Sequence, residues 1–490
     1  MKYTSTRGNS PVLTSLEAVL EGLASDGGLF MPLGLDLAGF DASGIFSLDF
    51  QGMSARILSF FFDDFPDMKR LVENAYRNSF TAPDITPVQA VDDRFVLELF
   101  YGPTLAFKDV ALQILPYLMS EAKKVTGDAK EILILTATSG DTGKAALEGF
   151  KDVPGIRICV FFPDGGVSPI QQLQMTTQRG ENVRSCAVIG NFDDTQTGVK
   201  RIFESLSEEC EEKGTVLSSA NSINIGRLIP QVVYYFKAYA DLMKAGVIRE
   251  GDPVNFTVPT GNFGDILAGF FARSMGLPVR KLICASNTNN ILTDFLNTGV
   301  YDKNRPFYKT LSPSMDILVS SNLERLLYLL SGNDAAYIAD LMHQLNTMGR
   351  YEVKPEILAA LKDTFSCGFA DDTATKETIR EVYEEQHYLM DPHTAVAWNV
   401  SKAFSASGDE AASLTNIVLS TASPYKFPQA IAESLKLPVS DDEFALMEEI
   451  NRVTGVPIPK NLAELRSLPV RFTDVIKKEE MAEYVREIVK

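Results

Sequence analysis

From about Phe95 onward, short apolar runs rich in β-formers alternate with Gly/Ser/Asp/Asn loops and longer helical stretches. That alternation dictates a mostly parallel sheet with helices on both faces, because parallel strands need crossovers and those crossovers cover the sheet. The runs are Phe95–Phe100, Ile132–Leu135, Ile156–Phe162, Val183–Ile189, Val254–Val258, Lys281–Cys284 and Ile417–Leu419. In such sheets ligands bind beyond the carboxyl ends of the strands. The rule points at the loops Thr138–Gly143, Pro259–Asp265 and Ser420–Lys426.

Ahead of this region, Thr14-Ser-Leu-Glu17 fits a capping box, and Leu16, Val19, Leu20 and Leu23 follow on one helical face until Gly27-Gly28. Ser54 to Phe80 reads as helical with an interruption at Pro66, and Ala82 to Pro87 as a linker. Leu311 to Glu385 is helical and more charged, and Asp474–Lys490, with its alternating charges, reads as a solvated helix. With 490 residues, 45% of them hydrophobic, more than one core is expected. The boundaries fall as 1–90 for an N-terminal segment, 91–230 for a smaller α/β domain with Lys108, and 231–490 for a larger α/β domain with a C-terminal helical part.

A net charge of −18 at pH 7 opposes binding to nucleic acid or an anionic membrane surface, since both need a positive face. The first ten residues lack an apolar core and no stretch is long and apolar enough for a membrane span, so a cytoplasmic protein is expected. Cys159, Cys186, Cys210, Cys284 and Cys367 are scattered and read as reduced thiols. His343, His387 and His393 form no cluster, and no metal is assigned; Asp391-Pro-His-Thr394 is as easily a helix cap as a site.

Five stretches carry the chemistry. Lys108 stands between a strand and the first turn of a helix that meets no breaker before Pro116; the helix dipole and burial against Phe107 would both disfavour its charged form and make it nucleophilic. Thr260-Gly-Asn-Phe-Gly-Asp265 combines a helix start with glycines that let a backbone approach an anion, and phosphate is the natural guest. Thr136–Lys144 superficially resembles a Walker A loop but has Thr138 where glycine is needed and Ala145 where the magnesium-binding hydroxyl belongs. Its hydroxyls and N–H groups suit a carboxylate or a phenolic oxygen. Ser420, Thr421, Ser423 and Lys426 end another strand, and Asn221–Arg227 adds amides and a guanidinium suited to a second anion.

Together GPTLAFKD (Gly102–Asp109), TATSGDTG (Thr136–Gly143), NSINIGRL (Asn221–Leu228), PTGNFGD (Pro259–Asp265), DPHTAVA (Asp391–Ala397) and STASPYKFP (Ser420–Pro428) resemble, in this order and over nearly the whole chain, threonine synthases of the shorter bacterial and fungal type. The resemblance implies the tryptophan synthase β-like, fold type II architecture of pyridoxal-phosphate enzymes: α/β, two doubly wound, mostly parallel sheets with helices on both faces, plus an N-terminal helical segment. It implies pyridoxal 5′-phosphate as cofactor, held covalently by Lys108 beside Phe107, with Gly261, Asn262, Phe263, Gly264 and Asp265 around its phosphate and Thr421 facing its ring nitrogen. Ser139, Gly140, Asp141 and Thr142 would meet the substrate carboxylate. Lys144, Asn224, Arg227 and Lys426 are the candidates for the substrate phosphate. The implied reaction converts O-phospho-L-homoserine and water to L-threonine and phosphate, the last step of threonine biosynthesis, in a monomer or homodimer. Where the family often has STAHP, this chain has Ser423 in place of the histidine. A serine or threonine dehydratase would share the cofactor groups, and a non-catalytic phospholigand-binding relative would be expected to lose Lys108.

Overall fold

The computed structural model of the protein describes every residue except Leu35, Ser139 and Lys490. Among the described residues, two parallel sheets carry the architecture. One has six strands in the order Phe365–Phe369, Val279–Ser286, Val254–Pro259, Asn416–Ser420, Arg94–Glu98 and Val88–Val91, and only the last pairing is antiparallel. The other has five, in the order Val475–Lys477, Val183–Ile189, Ile156–Pro163, Glu131–Ala137 and Thr215–Ser218, all parallel.

Side-chain alternation shows why both faces of each sheet are covered. Along Glu131–Ala137, Leu133, Leu135 and Ala137 enter one apolar cluster, while Ile132 and Ile134 enter another. The same split puts Ile417 and Leu419 on one side of Asn416–Ser420 and Val418 on the other. Every position of Val254–Pro259 and of Asn416–Ser420 is buried, the mark of parallel strands at the centre of a layered fold.

The sheets cut across the boundaries expected near residues 90 and 230. The strand leading to Lys108 pairs with Asn416–Ser420, so the lysine rises from the six-stranded sheet rather than from the smaller unit. Hydrophobic runs reveal that a strand exists but not which strand lies beside it. The C-terminal stretch also differs from the solvated helix expected there. Val475–Lys477 is the edge strand of the five-stranded sheet, and the helix Met481–Val489 buries Met481, Val485 and Val489 in the cluster that also holds Val199, Ile202 and Leu206. Its apolar stripe, one residue every fourth position, is narrow enough to be masked by the surrounding charges.

The N-terminal segment adds an antiparallel sheet of Lys2–Ser5, Leu13–Thr14 and Phe30–Pro32 to its helices Ser15–Glu21, Phe50–Phe61 and Met68–Tyr76. Thr14 and Glu17 form the expected capping box, but the helix stops at Gly22, which takes φ +70°, before Gly27-Gly28 is reached.

Pro116 does not end its helix, which runs from Lys108 to Thr126. Proline removes the N–H that Leu112 C=O would accept, and the helix Asp141–Phe150 fills this spot with Gly149. A Cβ on Gly149 would lie 2.1 Å from that carbonyl oxygen. Gly149→Ala should therefore force the two helices apart and destabilise the protein by about 1–3 kcal/mol. Thermal unfolding checks this: a midpoint equal to the wild type would show that the crossing does not depend on glycine.

Candidate active site

The ends of two neighbouring strands build the site. Beyond Arg94–Glu98 and Asn416–Ser420 the two chains stay together: Leu99 N–H donates to Ser420 C=O (2.9 Å), Phe107 N–H to Thr421 C=O (2.9 Å) and Ser423 N–H to Leu105 C=O (3.0 Å). The intervening turn closes on Asp109, whose carboxylate accepts from Thr104 N–H (2.8 Å) and Thr104 Oγ1 (2.6 Å). Gly102 has no room for a side chain there, since a Cβ would come within 2.4 Å of Asp109. Leu105 takes φ +62°, a conformation that costs a non-glycine residue about 1–2 kcal/mol. The turn thus fixes Lys108 at the first position of its helix, next to Thr421 and Lys426.

The third side comes from the five-stranded sheet. Asp141, first residue of the helix after Glu131–Ala137, places Oδ1 2.7 Å from Lys426 Nζ and Oδ2 3.9 Å from Lys108 Nζ. Gln171 Nε2 donates to Oδ1 (3.1 Å), and Lys426 also donates to Thr104 C=O (2.9 Å). Burial alone would raise the Asp141 carboxyl, but Lys426 and Lys108 outweigh it and hold the group well below the ordinary carboxylate range. For Lys108 burial dominates and pushes the amine down to about 8; Asp141 opposes the shift, and Lys426 and Arg227 add to it. The Phe107 ring, its centroid 5.2 Å from Lys108 Nζ, acts against the expected direction, because an aromatic face favours the cation.

Ser314, Gln171 and His393 complete the surroundings, and the sequence reading assigned none of them a role. Lys108 Nζ lies 3.4 Å from Ser314 Oγ. His393 Nε2 accepts from Ser314 N–H (3.1 Å), so its proton sits on Nδ1, which donates to Asp391 Oδ1 (2.7 Å). Asp391 in turn caps the helix Pro392–Ser405, so the Asp391–Thr394 motif is a cap that also tethers the Ser314 loop. The only sequence signal for Gln171 was its place in a capping box with Ser168.

The loop after Val254–Pro259 behaves as an anion cradle in its backbone. Gly261 packs so closely that a Cβ would lie 2.5 Å from Ser314 C=O. Phe263 takes φ +62° to turn the chain into the helix Gly264–Ser274, whose N-terminus no side chain among the described residues caps. Its first-turn N–H groups are left for a ligand. The Asp265 side chain takes no part in the cradle. It turns inward, where Oδ1 accepts from Tyr234 OH (2.6 Å) and Tyr235 OH (2.9 Å), and burial pushes it up to about 6. A carboxylate facing a phosphate would repel it, so only the backbone of Asp265 fits the cradle.

Three of the four substrate-phosphate candidates are spent elsewhere. Asn224 caps the helix Ile225–Leu228 through Gly226 N–H (2.8 Å) and donates to Val19 C=O (2.9 Å), and Lys144 sits against Glu148 (3.4 Å) and Gln178. Lys426 is committed to Asp141. Arg227 differs: it is buried, donates to Ala220 C=O, and its Nε has no partner among the described residues. Burial pulls it down to about 10, and no carboxylate pairs with it among the described residues. A buried guanidinium without a counterion is costly unless an anion joins it. Gly140 takes φ +139°, where a Cβ would strike the Gln171 side chain, and Thr142 follows in the helix; Ser139 lies outside the described residues.

Two surface clefts, of about 170 and 280 Å³, lie elsewhere, beside Asp194 and Lys478 and beside Arg157 and Tyr484; neither is lined by Lys108. Among the described residues no helix is long and apolar enough to cross a membrane.

A lysine pushed toward neutrality next to an uncapped, glycine-lined helix N-terminus fits a carbonyl cofactor carrying a phosphate. Comparison with known proteins agrees. Residues 2–76 match the model described as threonine synthase N terminus, residues 90–419 that of pyridoxal-phosphate dependent enzyme, and residues 394–489 that of threonine synthase, C-terminal. The chain is 37% identical to threonine synthase from Saccharomyces cerevisiae, over 98% of both chains. It is 40% identical to threonine synthase from Pseudomonas aeruginosa, over 89% of this chain and 90% of the relative. The crystal structure of pyridoxal-phosphate-bound threonine synthase from Brucella melitensis superimposes with a TM-score of 0.87 at 39% identity, covering all of both chains. The chain belongs to the threonine synthase family of pyridoxal-phosphate-dependent enzymes.

Proposed function

We propose that the protein converts O-phospho-L-homoserine and water to L-threonine and phosphate, acting in the cytoplasm as a monomer or homodimer. The observation that carries this reading is Arg227, a buried guanidinium without a counterion among the described residues that adds to the positive field at Lys108. The backbone cradle at Gly261–Asp265 accounts for one phosphate, on the cofactor; Arg227 supplies the second, on the substrate. A serine or threonine dehydratase has no use for that second site.

Bound pyridoxal phosphate supplies an electron sink for the negative charge that develops at Cα and Cβ of an attached amino acid. The chain's own groups do the rest. Lys108 would hold the cofactor and, as a free amine, would carry protons at the substrate Cα and Cβ, a task suited to an amine near 8. Thr421 would offer the ring nitrogen a neutral hydroxyl, which would not enforce its protonation. The backbone N–H groups of residues 140–142 would take the substrate carboxylate, while the Asp141 side chain keeps Lys108 and Lys426 in place. Arg227 neutralises the phosphate as it leaves, when its charge is greatest.

Two outcomes check these roles. Borohydride reduction of the holoenzyme followed by peptide mapping should place the pyridoxyl label on Lys108, and a label on another lysine contradicts the assignment. Arg227→Ala should lower kcat/KM for O-phospho-L-homoserine by about 100-fold with cofactor occupancy unchanged. Phosphate and threonine should appear together in the wild type; a ketoacid without phosphate would overturn the substrate.

A further inference from the structure

Asn322 occupies the N-cap of the helix Leu323–Leu330, yet its side chain makes no capping bond there, which is unusual for the residue type most favoured at that position. Its backbone N–H (3.0 Å) and Nδ2 (3.2 Å) both reach Asn262 C=O, and Nδ2 also reaches Ser222 C=O (3.2 Å). Its Oδ1 accepts from Arg325 Nη1 (2.5 Å). Arg325 is fully buried and donates through Nη2 to Ile223 C=O (2.6 Å) and through Nε to Phe30 C=O (3.2 Å). Ser320 Oγ donates to Gly261 C=O (2.8 Å). One turn, Ser320–Arg325, therefore grips the carbonyls of Gly261 and Asn262 on one side and those of Ser222 and Ile223 on the other.

The planarity of the trans peptide gives that grip a consequence. Each C=O points opposite to the N–H of the same peptide unit. Fixing the oxygens of Gly261 and Asn262 aims the N–H groups of Asn262 and Phe263 away from the turn, toward the face where an anion would sit. We propose that Ser320, Asn322 and Arg325 are positioning residues that orient the phosphate cradle and set its distance from the Asn221–Arg227 segment, so that the two anion sites are tuned by one staple. The proposal rests on the assignment of cofactor phosphate to Gly261–Asp265 and of substrate phosphate to Arg227.

The neighbouring Glu324 supplies the control. It faces the N-terminal segment, accepting from Thr6 Oγ1 (2.6 Å) and from Arg7 Nε and Nη2 (both 2.9 Å), so it braces the same helix without touching either anion segment.

The test compares holoenzymes of the wild type and of Asn322→Asp, Arg325→Lys and Glu324→Gln. Two quantities are read: the rate at which visible cofactor absorbance is lost on dilution, and the inhibition constant of inorganic phosphate. Asn322→Asp keeps the acceptor for Arg325 but loses the amide donor to Asn262 and Ser222. It should raise both quantities by about tenfold, the scale of one buried hydrogen bond. Glu324→Gln should lower the melting temperature and leave both near the wild type. A purely structural role for the turn predicts a lower melting temperature for Asn322→Asp with both quantities unchanged, and that result overturns the proposal. Equal effects from Glu324→Gln overturn it too. If Arg325→Lys fails to fold, Asn322→Asp decides. Arg227→Ala is measured alongside: should it leave the phosphate inhibition constant unchanged, the substrate-phosphate assignment fails, and cofactor release alone then decides the staple.

Discussion

The Asp141 carboxylate, buried between two ammonium groups, is the interaction on which the site depends. Lys108 and Lys426 follow strands of the six-stranded sheet, whereas Asp141 opens a helix that follows the five-stranded sheet, so the trio exists only where the two sheets meet. Unit charges about 4 Å apart interact by about 4 kcal/mol at an effective dielectric near 20, comparable to the several kcal/mol that burying an ion costs. The balance falls differently for each member. At Asp141 two cations outweigh burial, and the carboxyl stays ionised. At Lys108 burial prevails, Lys426 and Arg227 add to it against Asp141 and Asp109, and the amine approaches neutrality. One carboxylate thus anchors Lys426 while leaving Lys108 poised for chemistry.

The same economy of charge explains how a chain of net −18 can accept two phosphates. Backbone N–H groups at the start of Gly264–Ser274 neutralise an anion without adding a residue charge. The cations are few and buried, where low dielectric strengthens them. Gly140 at φ +139° and the left-handed Phe263 and Leu105 show the backbone held in sparsely populated conformations, and Gly261 lets the chain pass Ser314 too closely for a side chain.

The alternation of strands and helices was legible because a buried parallel strand leaves an unbroken apolar run, and Val183–Ile189 even keeps its ends. The loops at Gly140 and Gly261 were legible because glycine beside a helix start has few other uses. Strand order was not, since pairing partners arise from crossovers that no local pattern records. The side-chain orientations of Asn224 and Asp265 were not legible for one reason: the sequence shows that a polar group is present but not which way it points, and each is turned into the protein to bond Val19 or the tyrosine pair. Ser314 escaped notice because it is carried to Lys108 by a tether to His393 across 79 positions.

The most direct test of this account is the pH dependence of cofactor capture by Lys108. Pyridoxal phosphate is mixed with cofactor-free enzyme, and the rate of appearance of the visible band is followed across pH for the wild type and for Asp141→Asn. Capture needs the neutral amine, so the wild-type rate should rise with pH through about 8. Asp141 favours the protonated amine, so removing its charge should move the inflection to lower pH. A wild-type inflection near the ordinary lysine value of about 10.4, or one that Asp141→Asn leaves in place, would contradict the account.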